Sequence, residues 1–178
     1  FLNPSKPRLN EIEDNETCSF VPMGAVDEET GRIVKMEERP FNKVRKGYTY
    51  FKQGDVLFAK ITPCMENGKA AIAENLRNGF GFGSTEFHVL RTNRFVNHKL
   101  IYYLVRSKAF RNKAKTAMTG AVGQQRVPKA FLEEYIFPLP PLEEQQEIVS
   151  KVESLLDKAY KLYRYLKLSL LQNGFLVQ

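Results

Sequence analysis

Short apolar runs, interrupted every few residues, fill the chain up to about residue 92, whereas from Asn97 onward apolar residues recur at spacings of three and four. The first pattern belongs to strands and the second to amphipathic helices. Strands are expected at Cys18–Val26, Arg32–Met36, Asp55–Ile61 and Lys69–Glu74, runs bounded by Pro, Gly, Asn or Asp. Asn67-Gly68 is a tight-turn signal, so the last two strands should flank a loop at Thr62–Gly68. Gly79–Leu90 alternates apolar residues with small or polar ones and reads as a glycine-rich strand that lets another backbone approach closely.

The helical pattern predicts one helix near 97–106 and another near 107–117, with Asn97 and Ser107 as N-caps. Leu100, Tyr103, Leu104, Ala109, Phe110 and Ala114 recur at spacings of three and four, and Lys108, Arg111 and Lys115 would share one face. A flexible loop at Thr119–Gly123, a short helix at Lys129–Glu134 and a strand at Tyr135–Phe137 should follow. Pro138-Leu139-Pro140-Pro141 is a stiff connector whose last proline suits the first position of a helix. Beyond it Ile148, Val152, Leu155, Ala159, Leu162 and Leu166 form an a/d heptad seam on a helix about 45 Å long. The expected architecture is a mixed α/β globular domain over residues 1–137, a proline hinge at 138–141 and a long pairing helix over 142–178.

Charge changes this picture because it is unevenly placed. The chain carries 27 Lys and Arg against 20 Asp and Glu. Between Phe87 and Leu132 there is no acidic residue, yet ten basic ones occur, so the segment holds +10 and the remainder −3. A basic segment on a near-neutral body is the footprint of a protein that sits on phosphates, although a solvated helix face would carry the same charges. On the long helix Glu143, Glu144, Glu147, Glu153 and Asp157 come first, and Lys158, Lys161, Arg164 and Lys167 come last. That order suits the helix dipole, and it equally suits an antiparallel neighbour of the same kind.

Candidate chemistry is sparse. Cys18 and Cys64 have no C-x-x-C spacing, and His88 and His98 fall on different predicted elements, so neither a metal site nor a Ser-His-Asp triad is expected. Glu86 and His88 lie two apart on a predicted strand and are expected to be a structural pair. No apolar run approaches the roughly 20 residues that span a bilayer, which leads us to expect a cytoplasmic protein with no membrane contact. The chain starts at Phe1 without Met, as a trimmed or partial chain would.

Four segments together are specific: GDVLFAKITPCMENGKAAIA at 54–73, GFGSTEFHVLR at 81–91, TGAVGQQRVP at 119–128 and PLPPLEEQQEIV at 138–149. With NPSKP at 3–7 and SFVPMGAVDEETG at 19–31, they resemble the specificity subunit of type I restriction-modification systems, as one target-recognition domain followed by one long helix. The resemblance implies that the domain reads one half of a bipartite site in double-stranded DNA. It implies that the helix packs antiparallel with a second copy or a second half and helps dock methyltransferase subunits, with a restriction subunit joining them. It also implies that S-adenosylmethionine and ATP belong to those partners, and that this chain binds neither and is not an enzyme. The residues agree, since there is no N-P-P-[FYW], D-P-P-Y or G-x-x-x-x-G-K-[ST] sequence.

Candidate DNA-binding residues follow from side-chain type. Lys60, Thr62, Asn67 and Lys69 in the expected hairpin loop have the inventory for base edges and phosphates, and Lys108, Arg111 and Lys115 suit phosphates. Gln124, Gln125 and Arg126 could bond bases, but the resemblance makes them general features of such domains, so backbone contact or internal bracing is the expected role. Base selection is expected instead in Asp27–Tyr50, which carries Arg32, Lys35, Arg39, Asn42, Lys43, Arg45 and Lys46. A coiled-coil scaffold or an RNA-associated protein would use the same basic patch differently, and a nuclease or methyltransferase would bind its cofactor alone.

Overall fold

A computed structural model describes residues 2–6, 12, 13 and 15–172, with side chains through 170. Pro7 of the Asn3–Pro7 segment and residues 173–178 of the expected helix lie outside the described residues. The chain divides into two compact units, Phe1–Pro138 and Leu139–Gln178.

The first unit contains β1 (Thr17–Val21), β2 (Glu37–Pro40), α1 (Phe41–Val44), β3 (Thr49–Lys52), β4 (Val56–Ala59), β5 (Ala70–Ile72), β6 (Phe80–Gly83), β7 (Phe87–Leu90), α2 (His98–Arg106), α3 (Lys108–Thr116) and α4 (Lys129–Glu133). The strands make two sheets, one ordered β2-β1-β6-β3 and the other β5-β4-β7. All pairings are antiparallel except that of β1 with β6. Val21 and Phe51 of the first sheet share one core with Leu57, Ala71, Phe87 and Val89 of the second. The alternate residues Val56, Phe58 and Ala70 pack on Tyr102, Val105, Phe110 and Ala114 of α2 and α3. The smaller sheet is thus covered on both faces, which is why β4 reads as an unbroken apolar run. The outer face of the larger sheet buries Phe20, Tyr50, Phe80 and Phe82 against Phe41 and Val44 of α1.

The expected mixed α/β class and long helix are found, with local differences that have physical causes. The first strand stops at Val21 because Pro22 cannot continue the ladder, and Met23–Ala25 turns instead. Arg32–Met36 is not a strand and contributes only a bridge from Ile33 to Val26. The antiparallel partner of β1 is the charged β2, EERP, an edge strand held partly by the Arg39 guanidinium lying 3.7 Å over the Phe20 ring. Gly79–Leu90 is two strands in different sheets, β6 and β7, separated at Ser84–Glu86. Gly81 and Gly83 meet the expected need, because a Cβ would lie 2.9 Å from the Ser19 carbonyl oxygen in one case and 2.5 Å from that of Val21 in the other. Residues 135–137 form no strand.

Both caps form as expected, Asn97 Oδ1 accepting from the Lys99 amide and Ser107 Oγ from that of Phe110. The buried face of α2 is set by Tyr102 and Val105, one position away from the expected Leu100, Tyr103 and Leu104, which are half-buried, and Ala109 of α3 is exposed. The second unit is α5 (Leu142–Gln172). Among the described residues no helix is long and apolar enough to cross a membrane.

Candidate nucleic-acid interface

The β4–β5 loop and the chain after α3 are joined by backbone. The Thr62 amide donates to the Gln125 carbonyl at 3.0 Å, and the Gln125 amide donates to Thr62 Oγ1 at 3.1 Å. The Val127 amide donates to the Lys60 carbonyl at 2.8 Å. Thr119 and Arg126 exchange backbone hydrogen bonds, closing residues 119–126 into a finger whose bends fall at Gly120 and Gly123, both at positive φ. The Arg126 guanidinium clamps both Glu86 carboxylate oxygens, at 2.8 and 2.9 Å, and holds the Glu86 carboxyl below the usual carboxylate range. Arg126 therefore braces the base of the finger.

His88, next to this pair, has a fully determined hydrogen-bond chain. The Val89 amide donates to Asn3 Oδ1, so the Asn3 amide nitrogen must face His88 Nδ1 at 3.0 Å and donate to it. The Nε2–H then donates to the Val127 carbonyl at 2.8 Å. The neutral ring satisfies every group, whereas a proton on Nδ1 would oppose the Asn3 donor. Burial is the largest cause holding the imidazole below its ordinary value of 6.5. The unfolded chain therefore takes up the proton first, and stability complete above about pH 6.5 is lost as pH falls from there. The thermal midpoint should drop between pH 7 and 5, and His88→Asn should show a shallower drop; equal slopes for the two proteins would refute this role.

The basic helix is bound to the same loop. Arg111 donates to the carbonyls of Arg106 and Glu66, and Lys115 Nζ lies 2.6 Å from Glu66 Oε1. Gly68 is at positive φ beside the Arg111 guanidinium, 3.3 Å from where its Cβ would stand. Arg106 donates to the carbonyls of Gly68, Glu28 and Glu29, and Lys69 donates to that of Val26. Glu66, Lys108, Arg111, Asn112 and Lys115 line an open cavity of about 400 Å³.

The structure thus gathers Lys60, Thr62, Asn67, Lys69, Lys108, Arg111, Lys115, Gln124, Gln125 and Arg126 around two loops and α3. It does not bring Lys43, Arg45 and Lys46 to them, since these sit on α1 and the turn after it, against the other sheet. In the segment expected to select bases, Arg39 is paired with Glu37 at 2.7 Å as well as stacked on Phe20. The linear basic patch is also moderated in space. Arg91, Lys115, Arg126 and Lys129 face Asp55, Glu66, Glu86 and Glu133, none of which lies in the acid-free segment. Arg106, Arg111, Lys69 and Thr62 direct their side chains to backbone groups. Lys108 and Asn67 are exposed and make no ion pair or side-chain hydrogen bond among the described residues. Sequence reasoning passed over Asn112 and Glu66, whose only signal was proximity to the basic face. Among the described residues no three His, Cys, Asp or Glu side chains are grouped to hold a metal ion.

On α5 the seam positions Leu155, Leu162 and Leu166 are 65%, 59% and 50% exposed. Leu156, Tyr163 and Leu170, at seven-residue intervals beside the seam, are exposed too, so the apolar face is wider than a strict a/d stripe.

The chain thus combines two stacked sheets, whose loops gather amides, hydroxyls and cations, with a long helix that has an exposed apolar face. The chain belongs to the type I restriction modification DNA specificity domain family, whose profile matches residues 2–170. It is 39% identical over 151 residues to the type I restriction enzyme EcoAI specificity subunit of Escherichia coli, covering 84% of this chain and 26% of that protein. It is 38% identical to the EcoEI specificity subunit of the same organism, covering 84% of this chain and 25% of that one. The chain thus spans about a quarter of the length of these curated relatives. Among solved structures it is similar to the HsdS subunit from Thermoanaerobacter tengcongensis, with a TM-score of 0.75 and 26% identity over 91% of this chain and 41% of that one. A chain from work on complex assembly and conformational transition of the type I R-M system matches with a TM-score of 0.74 and 27% identity, over 85% of this chain and 39% of that one.

Proposed function

We propose that this domain reads one half of a bipartite target in double-stranded DNA and directs methyltransferase and restriction subunits to it. It contributes no catalytic group; S-adenosylmethionine and ATP serve the partner subunits. The helix α5 pairs antiparallel with a second copy or a second half of the same subunit, and its broad apolar face leaves room for a methyltransferase subunit to dock beside that pair. The observation that carries the reading is the convergence of residues 60–69, 108–115 and 119–126, remote in sequence, into one cluster of amides, hydroxyls and cations in a chain of the DNA specificity family. A coiled-coil scaffold has no need of that convergence and an RNA-associated protein would turn it to RNA, so duplex DNA in a gel-shift assay separates the readings.

The exposed Lys108 supplies the sharper test. If its ammonium meets a phosphate, Lys108→Gln lowers duplex affinity alike for all sequences and reduces the slope of log K against log salt by about 0.9. Arg111 is unsuitable for this test, because its guanidinium holds two backbone carbonyls and its loss would disturb the loop. An unchanged salt slope in Lys108→Gln would remove Lys108 from the phosphate contacts.

A further inference from the structure

We infer that α3 is the base-reading element and that Asn112 recognises an adenine, an assignment that rests on the DNA-reading function proposed above. Lys108, Asn112 and Lys115 are spaced four and three residues apart, so they form one stripe, and all three are exposed. A carboxamide presents one acceptor and one donor side by side, the complement of adenine N6 and N7 in the major groove. The Lys108 ammonium, one helical turn before Asn112 and without an ion pair among the described residues, is placed to meet a phosphate that fixes register. The Asn112 side-chain carboxamide makes no hydrogen bond among the described residues, so it has no internal bond to surrender.

Two further observations favour this helix over the other candidates. First, α3 is held rigidly: the Phe110 ring lies 4.8 Å from that of Tyr135 and 5.7 Å from that of Phe58, Ser107 caps the helix and Arg111 ties it to the β4–β5 loop. A reader on a fixed element discriminates better than one that must be ordered on binding. Secondly, the Lys115–Glu66 ion pair at 2.6 Å fixes the rim of the cavity that Asn112 lines and ties α3 to the β4–β5 loop a second time.

The test is selection of duplexes from a randomised library by the full chain and by its Asn112→Ala, Asn112→Ser and Lys108→Gln variants, with circular dichroism confirming that each is folded. The unaltered chain should select an adenine at a position where both Asn112 variants lose roughly 5- to 100-fold of preference, as a bidentate amide–adenine pair provides. Preferences at other positions should persist, and Lys108→Gln should weaken all sequences alike. Unchanged selection by the Asn112 variants would overturn the inference, as would a uniform loss of affinity, which would mark a backbone contact. Duplex binding by the unaltered chain with no adenine preference would overturn it while leaving the DNA reading intact. No duplex binding at all would remove that reading and this inference together.

Discussion

Replacing Asp55 with alanine should destabilise the globular domain by about 3–5 kcal/mol, the usual result of breaking a buried ion pair by removing one partner. Asp55 stands just before β4 with its side chain 3% exposed, and Arg91, which follows β7, is 23% exposed. The carboxylate accepts two hydrogen bonds from the Arg91 guanidinium, at 2.8 and 2.6 Å, and one from the Lys52 amide at 2.7 Å. It therefore links the end of β3 in one sheet to β4 and the end of β7 in the other. Alanine would leave a largely buried guanidinium without its carboxylate. Replacing both residues by leucine should be less harmful than Asp55→Ala, because no charge then remains to be desolvated. Urea unfolding is the measurement: the midpoint should fall with little change in slope. A loss below about 1 kcal/mol in Asp55→Ala would show that water reaches the pair, as at a surface salt bridge.

The second large effect concerns assembly. Leu155→Asp together with Leu162→Asp should abolish self-association, or association with the other half of the subunit, because each carboxylate would be buried in the helix pair without a partner. The unfolding transition of the globular domain should be unchanged, since both leucines are more than half exposed in the single chain. If two such helices pair, charge would favour the antiparallel arrangement, because the mainly acidic first half of each helix would face the basic second half of the other. Sedimentation equilibrium decides the matter: identical association constants for the variant and the unaltered chain would exclude the seam as the contact. Two copies paired this way are related by a two-fold axis, and the half-sites they read would be inverted repeats.

Features set by neighbours along the chain could be read directly. Asn97 and Ser107 are caps because their side chains reach an amide two or three residues ahead, and the 3.6-residue period placed α2, α3 and α5. Gly81 and Gly83 announced a close backbone approach, though not that the backbone would be β1. The strand β2 carries no apolar signal, because its Glu37-Glu38-Arg39-Pro40 sequence is that of a charged, proline-ended edge. The inward face of α2 lies one residue away from the apolar period, because Tyr102 satisfies its hydroxyl on the Gly31 carbonyl inside the core, and polarity alone gives no hint of that partner.

For this protein the sequence by itself determined the helix periods, the caps, the turn at Asn67-Gly68, the heptad seam and, through four motifs in order, the family. All of these depend on contacts within a few residues or on a recurring string. Only the tertiary structure decided which cations in the acid-free segment stay available. Lys115, Arg126 and Arg91 meet Glu66, Glu86 and Asp55, partners 36 to 49 residues away that share no local pattern with them. Such pairs arise when sheet closure brings remote loops together, and a side chain's charge carries no information about where that closure will place it. The same closure leaves Lys108 and Asn112 exposed on α3, beside an arginine of the same helix that is spent on the fold.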